Sequence, residues 1–263
     1  MKRITTLILA LLLLSLPHFA RAAGDDSWNL VKKAGTLAIG LDDSFPPMGF
    51  RQADNKLVGF DIDAAEELGH RLGIKISWQP TAWDGVILAL DAKKFDCIWN
   101  GMTITPEREQ QVLFTKPYIM DGQIVVVKMD STVKTLKDLG KQVIGVQKGS
   151  SAVEAVKKLP VAPSDVKEYD ANPKAFLDLD SGRLAAVVID NVSGRYFVST
   201  NPGKYKILPH FITKEPFGVG FRKADAALRD MVQKTLNQMV ADGTMKKISV
   251  KWFGEDITNP KKW

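Results

Sequence analysis

The nine residues Asn100–Arg108, NGMTITPER, contain a helix start directly after an apolar run. Thr105 is a favourable N-cap, Pro106 suits the first helical position, and Glu107 places a negative charge in the first turn. Arg108 instead brings a cation to the positive end of the helix, where it is locally unfavourable. A bound anion would reconcile these charges, so the stretch predicts an anion site.

Before this stretch, short apolar runs alternate with helical patterns, which is typical of an α/β protein. Residues 36–41 (TLAIGL) predict a strand. Residues 60–73 predict a helix that Asp61 caps and Gly73 ends. Residues 83–94 then predict another helix, and residues 95–101 predict a strand.

After this stretch, a second unit with a similar order of elements begins near Gln142, without a sequence repeat. An extended segment at 114–129 leads into this unit, and another at 207–221 follows it. If the last helices return to the first unit, these segments are two neighbouring crossings. Two such crossings favour a hinge, because a few terminal residues can absorb a rotation of one unit.

The N-terminus has the pattern of a secretory signal peptide. Lys2 and Arg3 precede the apolar run Leu7–Leu14, and Ala22 ends a small-residue pattern that predicts cleavage after it. The apolar run is too short for a stable membrane anchor, and no cysteine follows it to carry a lipid. We therefore expect an exported protein without a lipid anchor, which is periplasmic in a bacterium with two membranes.

Charge and composition exclude several classes of function. The sequence has 36 basic and 30 acidic residues, and removal of the signal peptide leaves 33 against 30. This charge is too balanced for a protein that binds nucleic acid. The single cysteine, Cys97, allows no intramolecular disulfide, and we assign it to the core. With only His70 and His210 left after cleavage, we predict no metal site, and no cofactor motif is present.

Five blocks in a fixed order resemble one known family. They are VGFDIDAAEELGHRLG, WDGVILAL, NGMTITPEREQQVLFTKPY, GVQKGSSAVEAV and MVADGTMKKISVKWFG, and the similarity spans nearly all of residues 35–254. Together they resemble the polar amino-acid-binding periplasmic proteins of bacterial ABC importers, solute-binding protein family 3. The resemblance implies a non-enzymatic, monomeric protein that delivers an amino acid to an inner-membrane ABC permease with a cytoplasmic ATPase.

The resemblance also implies an α/β fold of the two-lobed venus-flytrap type, in which each lobe is a mixed sheet flanked by helices. A two-strand hinge joins the lobes. The organisation that we expect is a signal peptide at 1–22, a first lobe at 23–118 and 217–263, a second lobe at 123–212, and a hinge at 119–122 and 213–216.

The anion that the first stretch predicts looks like the α-carboxylate of an amino acid. Arg108 matches the arginine of the family motif, and a planar guanidinium suits a carboxylate. The amides after Gly149 and the hydroxyls of Ser150 and Ser151 are expected to face the same group. The alternatives are that Arg108 pairs with Glu109 on the surface and that the serines only cap a helix.

By the same resemblance, Asp190, the Gly101 carbonyl and the Thr103 hydroxyl are expected to bind the ligand ammonium. Asp190 ends a predicted strand, where ligands lie in α/β sheets. It would also serve well as a helix N-cap, and Gly101 is a glycine that turn geometry alone can require.

The ligand side chain is expected between Phe45 and Trp83, although core packing accounts for most aromatic residues. Phe50, Phe60 and Trp252 are assigned to the core. The predicted ligand-binding set is Asp42, Phe45, Trp83, Asn100, Gly101, Thr103, Arg108, Gln147, Ser150, Ser151 and Asp190.

Three members of this set are expected to contact the ligand side chain and to determine which amino acid binds. Asp42 suits a cationic group, whereas Asn100 and Gln147 suit neutral polar ones. Family members that bind cationic ligands tend to have a serine pair where this chain has Asn100 and Gly101. The expected ligand is therefore neutral and small or polar, such as alanine, D-alanine or a glutamine-like amino acid.

Two other functions fit the same fold. A cyclohexadienyl-type dehydratase needs a general acid beside the arginine, and Glu67 and Asp84 are available acids. A sensory module that delivers its ligand to a receptor would have the same sequence features as a transport protein.

Overall fold

The computed structural model describes residues 25–259, and the predicted signal peptide at 1–22 lies outside them. Within the described part of the chain, no helix is both long and apolar enough to cross a membrane.

The chain alternates helices and strands in two series. The first comprises α1 (Ser27–Ala34), β1 (Thr36–Leu41), β2 (Ser44–Phe45), β3 (Gly49–Arg51), β4 (Leu57–Val58), α2 (Phe60–Leu72), β5 (Lys75–Pro80), α3 (Val86–Asp91), β6 (Cys97–Ile98), α4 (Pro106–Gln111), β7 (Val112–Phe114) and β8 (Ile119–Asp121). The second comprises β9 (Gln123–Lys128), β10 (Val143–Gln147), α5 (Ala152–Val156), β11 (Asp165–Tyr169), α6 (Asn172–Asp180), β12 (Ala186–Asp190), α7 (Asn191–Thr200) and β13 (Tyr205–Ile207). The chain ends with β14 (Glu215–Phe217), β15 (Gly220–Arg222), α8 (Ala226–Ala241) and α9 (Thr244–Phe253).

Two five-stranded mixed sheets organise these elements. The first has the order β5-β1-β6-β15-β7, and the second has the order β11-β10-β12-β9-β13. Because β15 follows the whole second series and pairs antiparallel with β6 and β7, the chain returns to the first sheet. The two crossings pair with each other as β8 and β14, with Glu215 opposite Asp121. The lobe limits given above stay predictions.

The alternation of side chains along β9 builds the core of the second lobe on both faces of its sheet. Val125 and Val127 belong to one buried cluster, whereas Ile124 and Val126 belong to another. All four are at most 1% exposed. A strand buried on both faces reads as a continuous apolar run, which explains the sequence IVVV.

The structure corrects the assignment of Asp61 as a helix cap. Helix α2 begins at Phe60 and Gly59 is its N-cap, with φ of 149°. A Cβ atom at Gly59 would lie 2.1 Å from the Met48 carbonyl oxygen, so only glycine fits there. Asp61 is fully buried instead, and its contacts belong to the site described below.

Several element limits also differ from the sequence predictions. The helix expected at 83–94 is a 3₁₀ turn, Trp83–Gly85, followed by the short α3. The strand expected at 95–101 is only Cys97–Ile98, because the following residues turn towards the cavity between the lobes. Phe60 is a core residue as expected, but Phe50 and Trp252 are only partly buried. The Phe50 ring contacts Tyr196 of the second lobe at a centroid distance of 5.4 Å.

Candidate functional site

A cavity lies between the two lobes. Its lining consists of Asp42, Phe45, Trp83, Asn100, Gly101, Thr103, Arg108, Gln147, Ser150, Ser151 and Asp190. These are the eleven residues that the sequence predicts. The structure therefore brings the whole predicted set together, with seven residues from the first lobe and four from the second. Their roles towards a ligand stay predictions.

Arg108 enters the cavity from the start of α4. The Thr105 hydroxyl accepts a hydrogen bond from the Arg108 backbone N–H at 3.2 Å, so the predicted N-cap is present. The guanidinium donates to the Thr103 carbonyl at 2.9 Å and to the Gly149 carbonyl of the other lobe at 3.0 Å. Its central carbon lies 5.7 Å from the centre of the Trp83 ring. These contacts, rather than a surface pair with Glu109, fix the plane of the guanidinium.

Burial lowers the pKa of Arg108, and the charges of Asp190, Glu215 and Glu107 oppose this change. Because an arginine pKa starts so high, the guanidinium stays charged at neutral pH. Of its five N–H donors, two bonds to carbonyls leave three for an anion.

The turn after β10 forms the opposite wall. Gly149 has φ of +72°, and a Cβ atom there would lie 2.7 Å from the Asp84 Cα of the first lobe, so glycine permits close approach of the lobes. The Ser150 hydroxyl donates to the Gln147 carbonyl at 2.7 Å. The Ser151 hydroxyl lies 3.1 Å from the Thr103 hydroxyl. Ser151 occupies the N-cap position of α5, but its side chain makes no capping bond.

Asp190 is the last residue of β12 and faces the cavity. It occupies the N-cap position of α7, yet its side chain makes no capping hydrogen bond. Its Oδ1 accepts a hydrogen bond from Gln123 Nε2 at 2.8 Å. Burial and the neighbouring charges of Asp121 and Glu215 raise the pKa of Asp190 well above its ordinary value. The hydrogen bond from Gln123 and the charge of Arg108 act in the opposite direction.

Asp61 supports the cavity floor from behind. Its carboxylate accepts hydrogen bonds from Trp99 Nε1 at 3.0 Å, from the Gly101 backbone N–H at 2.7 Å and from the Tyr118 hydroxyl at 3.1 Å. Gly101 has φ of +57°, and a Cβ atom there would lie 2.9 Å from the Phe45 ring. Asp61 therefore fixes the turn that places Gly101 in the cavity wall. Burial raises the pKa of Asp61 to about 7.

The remaining end of the cavity is polar and crosses the lobe boundary. Gln147 Nε2 donates to Asp42 Oδ2 at 2.6 Å, and the Ser44 hydroxyl donates to Asp42 Oδ1 at 2.5 Å. Burial raises the pKa of Asp42. Asn100 Oδ1 accepts from the Asp42 backbone N–H at 3.0 Å. Its Nδ2 is buried and has no hydrogen-bond partner within residues 25–259, so this amide offers a donor.

Two acids considered for a dehydratase lie outside the cavity lining. Glu67 pairs with Arg71 at 2.7 Å along α2. Asp84 pairs with Lys148 of the second lobe at 2.8 Å. Within the described ranges, no group of three or more histidine, cysteine, aspartate or glutamate residues is arranged to hold a metal ion.

Sequence reasoning missed the roles of four polar residues behind the cavity, namely Asp61, Asp121 and Gln123, which are buried, and Glu215, which is partly buried. Asp121 accepts from Asn191 Nδ2 at 3.1 Å, and burial raises its pKa to about 7. Gln123 lies opposite Asp190 in the pairing of β9 with β12. Strand register brings Asp121, Gln123 and Glu215 to the site, and the packing of α2 brings Asp61 there, so no local sequence pattern marks these roles.

The fold and the cavity define a two-lobed binding protein with its candidate site between the lobes. Residues 37–255 match the family model of bacterial extracellular solute-binding proteins, family 3, and the chain belongs to this family.

Known proteins agree with this assignment. The chain is 34% identical over 232 residues to the L-cystine-binding protein of Escherichia coli K12, covering 88% of this chain and 87% of that protein. An ABC uptake transporter substrate-binding protein from Streptococcus pneumoniae, solved with bound histidine, is 33% identical with a TM-score of 0.85. That match covers 89% of this chain and 98% of the other.

A third match is AncCDT-1, an ancestral amino acid-binding protein described as a precursor of cyclohexadienyl dehydratase. It is 38% identical with a TM-score of 0.80, and covers 86% of this chain and 98% of the other. These comparisons confirm the predicted family and the predicted two-lobed fold.

Proposed function

We propose that this protein captures one free amino acid in the cavity between its lobes and delivers it to an ABC permease. The observation that carries the proposal is that Arg108 and Asp190 line one cavity from opposite lobes. A cation and an acid across a closed cavity match the two charged ends of a zwitterion. The amino-acid binding of the relatives supports the same conclusion.

In this proposal the α-carboxylate binds the remaining donors of Arg108, the amides after Gly149 and the hydroxyls of Ser150 and Ser151. The Ser150 hydroxyl turns from the Gln147 carbonyl to do so, because it has a single donor hydrogen. The ammonium binds Asp190, the Gly101 carbonyl and the Thr103 hydroxyl. A bound ammonium would also favour the ionised form of Asp190, because an adjacent positive charge lowers the pKa of a carboxyl group.

The polar end of the cavity favours a neutral ligand that is small or polar. Asp42 already accepts hydrogen bonds from Ser44 and Gln147, and burial shifts it towards its neutral form. Asn100 Nδ2 has no partner among residues 25–259, and Gln147 Oε1 keeps an acceptor position beside its bond from Asn172, so the two suit a hydroxyl or an amide. Phe45 and Trp83, which are 5% and 8% exposed, supply apolar walls for the stem of the side chain. Alanine, D-alanine and a glutamine-like amino acid remain the proposed candidates.

The transport cycle rests on closure about the paired strands β8 and β14. The lobes given above (23–118 with 217–263, and 123–212) would turn about 119–122 and 213–216. Only the closed form brings the groups of both lobes to the ligand, so the ligand shifts the population towards closure. A monomer in the periplasm would then dock on an inner-membrane permease whose ATPase is cytoplasmic. No cofactor takes part.

A thermal-shift screen of the unfolded and refolded protein tests the proposal. Refolding removes a ligand that survives purification and would mask the shift. We expect the largest increase in Tm from a neutral polar amino acid among the common L- and D-amino acids, with L-arginine, L-histidine and L-cystine included. Analogues of the best ligand that lack either the carboxylate or the amino group should give no increase. Equal shifts from such an analogue would contradict the zwitterion site.

The same sample separates binding from catalysis. Incubation with prephenate or arogenate should leave the absorbance spectrum unchanged, because Glu67 and Asp84 lie outside the cavity lining. Turnover of either compound would replace the proposal with the dehydratase function.

A further inference from the structure

Gln123 is buried in the second lobe directly after the crossing strand β8. It is 0% exposed and is absent from the lining of the cavity. Its Nε2 donates to Asp190 Oδ1 at 2.8 Å and to the Ser151 hydroxyl at 3.1 Å. One amide group therefore contacts the proposed ammonium-binding acid and a proposed carboxylate-binding serine.

The backbone holds this amide in place on both sides. Gln123 faces Asp190 in the antiparallel pairing of β9 with β12. Its backbone N–H donates to the Thr213 hydroxyl at 3.1 Å, and its carbonyl accepts from the Ile212 N–H at 2.8 Å. Gln123 is thus tied to the second crossing of the chain as well as to the sheet of the second lobe.

The other amide atom of Gln123 shows that packing does not explain this residue. Its Oε1 is buried and has no hydrogen-bond partner in the part of the chain that the structure describes. An unpaired buried acceptor destabilises the folded state, and an apolar side chain of the same shape would avoid that cost. The two hydrogen bonds that Nε2 donates, to Asp190 and to the Ser151 hydroxyl, compensate for this cost.

We propose that Gln123 is a positioning residue that aligns Asp190 and Ser151 from behind the cavity. This inference rests on the proposed function, because it assigns those two residues to the two ends of a zwitterion. All three residues belong to the second lobe, so their contacts do not depend on lobe closure. The alignment is then present before the ligand arrives, which lowers the ordering cost of binding.

The charged surroundings of Asp190 make this role measurable. Asp121 of β8 and Glu215 of β14 face it with like charge, and Arg108 of α4 faces it with opposite charge. Gln123 supplies the neutral hydrogen bond that favours the ionised carboxylate. Its removal therefore raises the pH at which Asp190 loses its proton.

The test compares Gln123→Met, which has a similar shape without the donor, with Gln123→Glu, which replaces the donor by an acceptor. Asp190 is titrated by carboxyl ¹³C NMR in the unliganded protein, with Asp190→Asn used for assignment. We expect the midpoint to rise by about one pH unit or more in both variants, since hydrogen bonds to charged groups have that strength. Val125→Ala, a core change on the same strand, should leave the midpoint unchanged.

An affinity measurement over a range of pH values completes the test, with L-glutamine, L-histidine and L-cystine as probes. As the pH is lowered, the affinity for a probe that binds should begin to fall at a higher pH in Gln123→Met than in the wild type.

An unchanged Asp190 midpoint in both variants overturns the inference, as does an affinity loss of the same factor at every pH. A raised midpoint in a protein that binds none of the amino acids in the thermal-shift screen supports the alignment and contradicts only the proposed function.

Discussion

Lys148 and Asp84 form an ion pair that crosses the boundary between the lobes, with Nζ 2.8 Å from Oδ2. Lys148 directly precedes Gly149, whose carbonyl accepts a hydrogen bond from Arg108. Both charged side chains are more than one-third exposed. The pair therefore lies at the solvent edge of the closed site and forms only when the lobes meet.

Breaking this pair should weaken ligand binding without altering the cavity. We expect Lys148→Ala and Asp84→Ala each to lower affinity by about two- to fivefold, the range typical of exposed ion pairs. The double variant should lose no more than either single variant, because both remove one interaction. Isothermal titration calorimetry at low and high salt measures the effect, which should shrink as salt screens the pair.

Lys157→Ala is the matched control for this prediction. Lys157 pairs with Glu154 at 2.6 Å within the second lobe, on a more exposed part of the surface. Its replacement should leave affinity unchanged at both salt concentrations. A loss equal to that of Lys148→Ala would show that general surface charge, rather than the contact between lobes, is responsible.

Arg108→Ala should abolish most of the affinity for the amino acid. Truncation of one partner in a buried charge pair costs about 2–5 kcal/mol, which corresponds to roughly 30-fold or more. Arg108→Lys should recover only part of this loss, because lysine lacks the planar fork that matches a carboxylate. Calorimetry measures both variants.

Arg183→Ala serves as the control for Arg108, since Arg183 pairs with Asp178 on the surface of the second lobe. We expect wild-type affinity for this variant. Wild-type affinity in Arg108→Ala would remove that arginine from the site.

Asp42→Asn should separate neutral from cationic ligands. The change keeps the size of the side chain and removes a carboxyl group that a cationic ligand side chain would hold in its ionised form. We expect affinity for L-glutamine to change little and affinity for L-arginine to fall by about tenfold or more, as for a lost buried charge contact. Competition calorimetry gives both values. A large loss for L-glutamine with none for L-arginine would contradict this account of the polar end.

Asp61 should make the stability of the protein depend on pH. Its ordinary pKa of 3.8 applies in the unfolded chain, whereas burial raises the folded value to about 7. Between these values the folded state binds more protons, so the contribution of Asp61 to the free energy of unfolding falls as pH rises. The advantage of the wild type over Asp61→Asn should therefore shrink from about pH 4 to about pH 7.

Urea unfolding at a series of pH values measures this difference. Asp178→Asn is the control, because contacts with Arg183 and Tyr169 lower the pKa of Asp178 to about 2. Its difference from the wild type should stay flat over the same interval. A flat difference for Asp61→Asn as well would show that the raised pKa is wrong.

Local patterns were sufficient to predict most of the elements. The run TLAIGL is β1 from Thr36 to Leu41, and the N-cap at Thr105 is present. Such features depend on side chains a few residues apart, whose preferences act within one turn or one strand. The limits predicted for the elements at 83–101 were less accurate, because the chain there turns towards the cavity and departs from regular structure.

The predicted cavity residues could be found because several lie in recognisable blocks at the ends of strands. The residues that support the cavity from behind could not be found in this way. Asp61 has the spacing of a helix cap, but Trp99, Gly101 and Tyr118 reach it only in the folded chain. Burial then decides its charge, and burial is a property of the whole lobe.

The sequence by itself determined the family and the identity of the cavity residues through motifs that resemble those of the family. It determined the alternation of helices and strands through local preferences. Only the tertiary structure decided that Gln123 lies behind Asp190, that Glu215 lies opposite Asp121, and that Lys148 reaches Asp84. Each of these pairs is far apart along the chain. Strand register and the approach of the two lobes bring them together, and no local preference encodes either.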